Sequence, residues 1–353
     1  MTSLPLVSVC IPTYNRPEYL RRAVESCLAQ TYPHFEIIIT DNSTNDQSSA
    51  LAAKWTDPRI RYSSNGGNIG PHASGKKAIS LGKGGYIKFL MDDDLLKSRC
   101  LELMVKSLEE NPTAAVAMAP MDLIDENDRR IFPRFYVFRS MHYRYRYQVG
   151  DGLIARRRIL KDFLTRDYPC TVPTGIMFRA EAFHRAGGFS TEYDFASDLE
   201  MCMRLAAEWD FCYIDEVLTS WRFMPSGHTA DMHQGVERSS TTDQSSTQAG
   251  LTITDFYKIT RKSLGNEGVK KMFADEWGKL ARDSLFFCSC RALLNVLAGI
   301  RSRKPKLILS TIKTILHEDT YVYNWLRLPL WAVREIFVSI FPRHDPPPRG
   351  GNA

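Results

Sequence analysis

Residues 86–94 read YIKFLMDDD, an apolar run that ends in three consecutive aspartates. The run has the length of one buried strand, and the chain turns polar directly after it. Three adjacent carboxylates repel one another, which raises their pKa values. A divalent cation would remove that cost, and carboxylate oxygens suit Mg²⁺ or Mn²⁺. The alternative is a solvated acidic loop that caps the next helix, and the preceding strand favours the cation site.

Buried strands and amphipathic helices alternate through the first 120 residues. Apolar or β-branched runs lie at 6–12, 35–40, 86–91 and 114–119, and helical spacing appears at 17–30, at 45–54, in a stretch ending near 81, and at 99–110. This alternation predicts an α/β fold with a mostly parallel sheet flanked by helices. Ligands of such sheets bind beyond the carboxyl ends of the strands. Tyr14, Asp41 and the aspartate triplet each follow a predicted strand, so we expect them to meet at one crevice.

The alternation becomes less regular after residue 120. Strands are predicted at 175–179, 211–214 and 217–223, and helices at 180–186 and 198–207. Residues 225–250 are rich in Ser, Thr, Gln and Gly, which is typical of a mobile loop or a linker. We therefore predict a catalytic domain over 1–225, a loop or lid over 226–250, a helical C-terminal region over 251–341 and a disordered tail over 342–353.

Composition indicates an ordinary globular protein. The 353 residues are 44% hydrophobic and 24% charged, with a formal net charge of +6. A small basic excess suits anionic ligands such as nucleotides without requiring nucleic acid. We see no signal peptide and no membrane-spanning run, and the eight cysteines are scattered. These features predict a cytoplasmic location.

Four motifs, taken in order and spacing, resemble the family 2 glycosyltransferases. They are VSVCIPTYNR at 7–16, the segment that begins at Asp41, the turn NGGNIG at 65–70, and GYIKFLMDDD at 85–94. The match covers roughly residues 5 to 225. The resemblance implies a GT-A type, Rossmann-like fold with a C-terminal helical extension. It also implies an enzyme that inverts the anomeric centre of a nucleotide-sugar donor.

The resemblance implies roles for the residues at the strand ends. Pro12 and Tyr14 would line the base pocket, Asp41 would hydrogen-bond the base edge, and Asp92 would face the ribose. The donor base would be uracil or thymine. From the residues alone, the cluster around Asp41 could equally be turn and N-cap chemistry.

A metal ion on the donor diphosphate is implied at the other two aspartates. Asp93, with Asp94 in support, would hold Mn²⁺ or Mg²⁺. The family often carries Arg or Asn on the helix after the glycine-rich turn, whereas this chain has SGKK at 74–77. Either lysine, Lys76 or Lys77, could replace the usual diphosphate contact, or both could be solvated.

The second half resembles the acceptor side of the family's site. Thr174 and Gly175 match the segment that floors the donor-sugar and acceptor site. Asp198 falls at the general base, and Arg204 keeps the expected six-residue spacing from it, while Ser197 replaces a customary acid. Sugar transfer to a hydroxyl needs a base to take its proton, which supports Asp198 independently. The alternative for Asp198 is a helix N-cap.

His228 follows a Trp-Arg pair in the polar loop. Related enzymes often place a histidine after such a pair, on a loop that closes over the donor. His228 would then contact the diphosphate or the metal. The alternative is an ordinary loop histidine, because the register of the motif is shifted.

Two surfaces could receive the acceptor. Residues 129–158 hold nine arginines and one acid among seven aromatic residues. They suit a glycan or lipid-diphosphate acceptor, with a β-ribbon as the alternative and no nucleic acid expected. The apolar and basic helices of residues 301–341 either pack on the catalytic domain or a second subunit, giving a homo-oligomer, or lie on the inner membrane leaflet.

The sequence leaves two other functions open. A sugar nucleotidyltransferase also uses acidic pairs and a metal beside a parallel sheet, but it usually has a glycine- and basic-rich loop where this chain has TYNR at 13–16. A non-catalytic nucleotide-sugar-binding protein would account for Ser197 and for the altered segment at 70–77. The expected function remains glycosyl transfer to a glycan or lipid-linked acceptor in surface polysaccharide synthesis.

Overall fold

The computed structural model describes residues 4–131, 151–165, 172–193, 196–223 and 258–285, together with 255 and 288. Several of the predictions above lie outside these residues. They concern most of the basic and aromatic segment, His228 with its polar loop, the helices of residues 301–341, and the tail.

The described chain alternates strands and helices. The strands are β1 Val7–Thr13, β2 Phe35–Asp41, β3 Ile60–Ser64, β4 Tyr86–Phe89, β5 Leu95–Leu96, β6 Ala114–Met118, β7 Met121–Ile124, β8 Gly152–Ile154, β9 Ile176–Arg179, β10 Asp210–Tyr213 and β11 Thr219–Arg222. The helices are α1 Pro17–Leu28, α2 Gln47–Ala52, α3 Pro71–Leu81, α4 Cys100–Glu110, α5 Arg156–Thr165, α6 Ala180–Arg185 and α7 Ser197–Ala206, followed by a short helix over Glu267–Met272. Every strand and helix predicted from the sequence within these residues is present, with bounds shifted by a few residues.

An eight-stranded, mostly parallel sheet forms the centre of the fold. Its strand order is β3-β2-β1-β4-β9-β6-β10-β8. Strands β3, β2, β1 and β4 run parallel, and β10 runs parallel to β6. Strand β9 lies antiparallel between β4 and β6, and β8 is an antiparallel edge. The fold class is therefore confirmed, with one antiparallel strand inserted into the parallel sheet and another at its edge.

Two hydrophobic cores cover the two faces of this sheet. In β1, Val7, Val9 and Ile11 belong to one core, whereas Cys10 belongs to the other. This alternation is what strands produce when both of their faces are buried. Helices α1 and α4 cover the first face, and α3, α5, α6 and α7 cover the second. The β-branched runs form central strands because both faces of each strand are buried.

Residues 258–285 pack onto the second of these cores. The apolar side chains that join it are Ile259, Leu264, Val269, Phe273 and Leu280. Ion pairs reinforce the contact: the Arg157 guanidinium lies 2.6 Å from Asp275, and the Lys161 ammonium lies 2.5 Å from Glu276. This part of the predicted helical C-terminal region shares a core with the sheet. The predicted boundaries at 225, 250 and 341 stay predictions.

A second, three-stranded sheet lies beside the aspartate triplet. Its order is β5-β11-β7, with β11 antiparallel to β5 and parallel to β7. The sequence predicted β11 but not β5 or β7, because two to four residues are too few to show a period. Strand β8 and helix α5 were also missed, since β8 lies within the arginine-rich segment 129–158 and α5 begins in it, and the composition of that segment masked their pattern. Among the described residues, no helix is both long and apolar enough to cross a membrane.

Gly84 precedes β4 where the chain passes very close to β1. A Cβ at Gly84 would lie 2.6 Å from the Ser8 backbone nitrogen and 2.8 Å from the Leu6 carbonyl oxygen, whereas a Cβ at Gly85 would meet nothing within 4 Å. We expect Gly84→Ala to destabilise the fold by about 1–3 kcal/mol through this overlap. Thermal unfolding should show a fall in Tm of about 2–4 °C per kcal/mol.

Gly85→Ala is the matched control, and it should stay within about 0.5 kcal/mol of the wild type. Equal unfolding temperatures for the two variants would contradict the close approach of the chain at Gly84.

Candidate active site

The predicted site residues converge on one edge of the large sheet. Strands β1, β2 and β4 run parallel and end at this edge, which places Tyr14, Asp41 and Asp92 side by side. Strand β9 runs the other way, so the 3-10 turn Pro173–Gly175 at its start lies at the same edge. Carboxyl edges of such sheets are where ligands bind.

Asp92 is bound by the end of β1. Its Oδ2 accepts a hydrogen bond from the Thr13 hydroxyl at 2.8 Å and one from the Tyr14 backbone amide at 3.3 Å. Burial, and after it the neighbouring charge of Asp93, raise the pKa of Asp92 to about 7. From the sequence we expected repulsion to raise this pKa, whereas burial is the larger cause at Asp92.

Asp93 is the most exposed carboxylate of the three, with 18% of its side chain accessible. Its Oδ2 lies 2.7 Å from Nη1 of Arg16, and the same nitrogen lies 3.5 Å from Asp92. Burial raises the pKa of Asp93, and the positive charge of Arg16 opposes that rise. Arg16 is thus the counterion of the acidic pair, a role that the sequence analysis missed.

Asp94 lies below the surface, where protein groups bind both of its oxygens. The Thr174 hydroxyl donates to Oδ2 at 2.5 Å, and the Arg222 backbone amide donates to Oδ1 at 2.8 Å. Asp94 and Thr174 are both fully buried. Burial raises the pKa of Asp94 well above its usual range. Asp94 therefore joins the segment before β9 and the strand β11 to the turn formed by residues 92–94, which we call the aspartate turn.

A buried lysine lies behind this turn. Lys88 is in the middle of β4 and is fully buried. Its ammonium donates to the carbonyl oxygen of Thr174, and to that of Ile176 at 3.0 Å. Lys88 thereby anchors the segment that carries the Thr174 hydroxyl. The sequence signal was a lysine inside an otherwise apolar strand, and we had assigned it no role.

Arg222 links the aspartate turn to the β7 end of the small sheet. Its guanidinium is fully buried, and Nε donates to the Asp93 carbonyl oxygen at 2.7 Å. The same group donates to the Asp125 carbonyl and to the Asp128 carboxylate, and it stacks 4.9 Å from the ring centre of Tyr19. The backbone at Asp93 is therefore fixed by a buried cation.

The predicted nucleotide-binding residues lie next to the triplet. Tyr14 is 45% exposed at the end of β1, and Pro12 is half-buried within that strand. Asp41 is buried, and its carboxylate already accepts from the Ser43 amide at 2.7 Å and from the Tyr62 hydroxyl at 2.5 Å. The structure thus brings these groups together, and their contacts with a base stay a prediction.

Asn15 locks two loops at this edge. It has a positive φ of 53°, a conformation that asparagine tolerates better than most residues. Its backbone amide donates to the Ser43 hydroxyl at 2.9 Å, and its side-chain oxygen accepts from the Thr44 amide at 3.1 Å. The loop after β1 and the loop after β2 are therefore held together.

The segment after the glycine-rich turn is engaged within the fold. Ser74 is buried and bonded to the Thr40 hydroxyl at 3.0 Å. The Lys77 ammonium donates to the side-chain oxygen of Asn65 at 2.7 Å, whereas Lys76 is exposed. Of the two lysines considered for a diphosphate contact, Lys77 is thus tied to the turn at 65–70.

Asp198 lies in the first turn of α7. This helix packs on the sheet and leads through residues 207–209 into β10, which runs in the same direction as β1 and β4. Its first turn therefore lies at the carboxyl edge, with the aspartate triplet. Ala196, not Asp198, occupies the N-cap position, so the N-cap alternative is wrong.

The surroundings of Asp198 change its acidity. Its Oδ1 accepts from the Leu199 amide at 2.7 Å. Its side chain keeps some exposure, yet the protein packed around the carboxylate desolvates it and raises its pKa to about 7. A carboxylate with a pKa near neutrality is suited to general base catalysis.

Arg204 clamps a tight turn next to α7. Its guanidinium pairs with Glu200, with an Nε–Oε1 distance of 2.9 Å, and donates to the carbonyls of Ala186 and Gly188. The turn includes Gly187, which has a positive φ of 87°. This arrangement fixes the helix that carries Asp198, and a direct contact of Arg204 with a substrate stays a prediction.

The aspartate turn has side chains of the kind that bind divalent cations. Within the described ranges, no three His, Cys, Asp or Glu side chains are arranged to hold a metal ion by themselves. Mg²⁺ and related ions usually take one or two carboxylates, with waters and substrate phosphates completing the shell. Asp93 fits this pattern, because it is the accessible member of a crowded carboxylate cluster.

Known structures share the fold of this chain. A TarS structure from S. aureus in complex with UDP-GlcNAc matches with a TM-score of 0.54 at 15% identity, over 89% of this chain and 93% of that one. A mannosyltransferase from Pyrobaculum calidifontis, in complex with GDP-Man and Mn²⁺, matches with a TM-score of 0.54 at 14% identity, over 97% and 89%. The fold is that of GT-A type proteins.

Sequence comparison agrees with the fold. The profile described as glycosyl transferase family 2 matches residues 8–187, which is half of the chain. The chain belongs to glycosyl transferase family 2. It is 29% identical to an uncharacterized protein of Mycobacterium tuberculosis over 64% of its length, and 32% identical to an uncharacterized glycosyltransferase of Methanocaldococcus jannaschii over 44%. The matches span 68% and 58% of those two proteins.

We expect Thr174→Val to destabilise the fold by about 3 kcal/mol, because it leaves a buried Asp94 oxygen without its donor. Thr174→Ser keeps the hydroxyl and loses only a buried methyl group, which should cost about 1 kcal/mol. Denaturant unfolding of the two variants measures the difference. Equal losses would show that the hydrogen bond to Asp94 contributes nothing beyond packing.

Proposed function

We propose that this chain transfers a sugar from a nucleoside-diphosphate sugar to a hydroxyl group, with inversion at the anomeric carbon. The observation that carries the proposal is the placement of an accessible carboxylate, Asp93, and a carboxylate of pKa about 7, Asp198, at the same edge of the sheet. Asp93 is suited to hold a cation on the leaving diphosphate. Asp198 is suited to take the proton of the incoming hydroxyl.

The donor would bind across the ends of β1, β2 and β4. Tyr14 presents an exposed ring on which a base can stack, beside Pro12. Asp41 would contact the base edge and Asp92 the ribose. Two structures of similar fold contain UDP-GlcNAc and GDP-Man, which supports a nucleotide-sugar donor. We favour UDP- or dTDP-sugars.

Asp93 would hold Mn²⁺ or Mg²⁺ on the donor diphosphate. When bound, the ion would supply positive charge that stabilises the departing nucleoside diphosphate. Asp94, whose two oxygens are both bonded within the fold, would support the turn without contacting the ion. The presence of Mn²⁺ in the Pyrobaculum mannosyltransferase structure supports a divalent cation. His228 would approach the same diphosphate from the loop that follows β11.

Asp198 would take the proton of the acceptor hydroxyl as that oxygen attacks the anomeric carbon. Attack from the side opposite the diphosphate inverts the configuration. Thr174 and Gly175 would floor the donor-sugar and acceptor site. Arg204 would act through the Ala186–Gly188 turn, which holds α7 in place. Ser197, buried beside the base, would leave Asp198 as the single acid at this position.

The acceptor would be a glycan or a lipid-linked sugar of a surface polysaccharide. The chain is 24% identical to the hyaluronan synthase of Pasteurella multocida over 284 residues, which are 78% of this chain and 25% of that protein. We assign acceptor contact to the basic and aromatic residues 129–158. Peripheral contact with the cytoplasmic face of the membrane is assigned to the helices of residues 301–341.

Asp198→Asn should abolish transfer while donor binding is retained. We expect kcat to fall by about 10²–10⁴, the usual worth of a general base. In the wild type, kcat/KM should fall about tenfold per pH unit below pH 7, because the base must be unprotonated and its pKa is about 7. Initial rates from pH 5.5 to 8.5 measure the loss of kcat and the pH dependence. A donor-binding isotherm of the variant measures whether donor binding is retained. Near-normal turnover of the variant would remove Asp198 from the mechanism.

The same variant has a predicted effect on stability. The folded-state pKa of Asp198 lies above that of the unfolded chain, so ionisation destabilises the fold as pH rises toward 7. Asn carries no charge, and Asp198→Asn should therefore unfold at a higher temperature than the wild type at pH 8. The gain should shrink at pH 5. This result would also show that the inactive variant is folded.

Removal of divalent cations should stop transfer. We expect EDTA to abolish activity and Mn²⁺ or Mg²⁺ to restore it. Asp93→Asn should raise the metal concentration needed for half-maximal rate by at least about 10–100-fold, since the loss of a partner outside the first shell already costs that much. Glu110→Gln is the control, since Glu110 is exposed at the end of α4, on the opposite edge of the sheet. Full activity in EDTA would exclude the metal.

A further inference from the structure

Arg16 forms an ion pair with Asp93, the carboxylate that the proposed function assigns to a divalent cation. Its Nη1 lies 2.7 Å from Asp93 and 3.5 Å from Asp92. The other donors to Asp92 are a hydroxyl and a backbone amide, which carry no net charge. Arg16 is thus the charged side chain that pairs directly with both acids in the described part of the chain.

The backbone of Arg16 is fixed, whereas its side chain is partly exposed. Its carbonyl accepts from the Leu20 amide at 3.0 Å in the first turn of α1, and the preceding Asn15 is tied to the loop after β2. About a third of the side chain, 33%, is accessible. A fixed backbone with a partly exposed side chain allows the guanidinium to exchange partners while the loop stays in place.

A guanidinium and a divalent cation cannot share Asp93 without strong repulsion, because like charges at contact distance oppose each other in a poorly solvated site. Arginine also has a planar fork of donors that matches phosphate oxygens. The donor diphosphate would offer Arg16 a new partner at the moment when it brings ligands for the ion.

We propose that Arg16 is an internal counterion that blocks the Asp92–Asp93 site against free divalent cations and transfers to the donor diphosphate when the nucleotide binds. Cation binding thereby becomes conditional on nucleotide binding. Because such coupling is reciprocal, the cation strengthens nucleotide binding by the same factor. The inference rests on the proposed function, specifically on Asp93 as a ligand of the ion.

The decisive test is Mn²⁺ binding in the absence of nucleotide, measured through the EPR signal of the Mn²⁺ that stays free. We expect Arg16→Gln to bind Mn²⁺ alone about tenfold more tightly than the wild type, since the competing charge is gone. Arg16→Lys keeps the charge and should bind Mn²⁺ as weakly as the wild type. Arg21→Gln is the matched control, because Arg21 lies on α1, which begins directly after Arg16, and pairs with the exposed Glu18 and Glu25.

Nucleotide binding supplies the second arm. Of UDP, dTDP and GDP, the one that most raises the wild-type Tm is titrated with and without Mn²⁺. We expect the nucleotide to tighten Mn²⁺ binding by about 5–150-fold in the wild type, the usual range of such coupling. In Arg16→Gln this factor should fall by about tenfold, the amount by which Mn²⁺ binding alone is tightened, because the diphosphate still supplies its own ligands to the ion.

The outcomes separate this inference from the proposed function. If Asp93→Asn leaves Mn²⁺ binding unchanged, the metal site itself is wrong. If Asp93→Asn removes Mn²⁺ binding while Arg16→Gln fails to tighten it, only the role of Arg16 is overturned. Equal tightening by Arg16→Gln and Arg16→Lys would also overturn it, because the effect would then not depend on charge.

Discussion

The structure concentrates negative charge at the end of one buried strand and gives each carboxylate a different partner. Asp92 is bonded by the end of β1, Asp93 by Arg16, and Asp94 by Thr174 and Arg222. Burial raises the pKa values of all three groups, and repulsion by neighbouring carboxylates adds to this at Asp92 and Asp94. Because the partners differ, the three adjacent aspartates can perform three separate tasks, which identical surroundings would not allow.

These partners come from parts of the chain that are far apart in sequence. Thr13 ends β1, Thr174 lies in the 3-10 turn before β9, and Arg222 ends β11. Lys88 fixes the Thr174 turn from behind. The large sheet supplies two of these contacts and the small sheet supplies the third. The aspartate turn is therefore the point at which the two sheets are joined, and the conformation of the site depends on the whole fold.

Much of this fold could be predicted from the sequence, because strands buried on both faces leave long β-branched or apolar runs. The runs at β1, β2, β4 and β6 were found in this way, and so were the helices between them. The antiparallel placement of β9 could not be predicted, since a four-residue strand looks the same in either direction. The two-residue strand β5 is defined only by pairing with β11, which is more than a hundred residues away.

The candidate site could be predicted in part for a similar reason. Carboxylates directly after a strand indicate a site, so Asp92, Asp93 and Asp94 were found. The cations that balance them were not, because an arginine in a loop, such as Arg16, or in a strand, such as Arg222, resembles any surface arginine until its partner is known. The buried role of Asp94 likewise depends on Thr174, 80 residues away along the chain.

The most direct test of the account is a crystal structure of the chain with Mn²⁺ and its nucleoside diphosphate, with the ion located by anomalous scattering. We expect an ion in direct contact with Asp93 and the two phosphates, with the guanidinium of Arg16 moved from Asp93 to the diphosphate. The carboxylate of Asp198 should face the space beyond the second phosphate. A diphosphate bound away from the aspartate turn, or an Asp198 carboxylate that points out of that space, would contradict it.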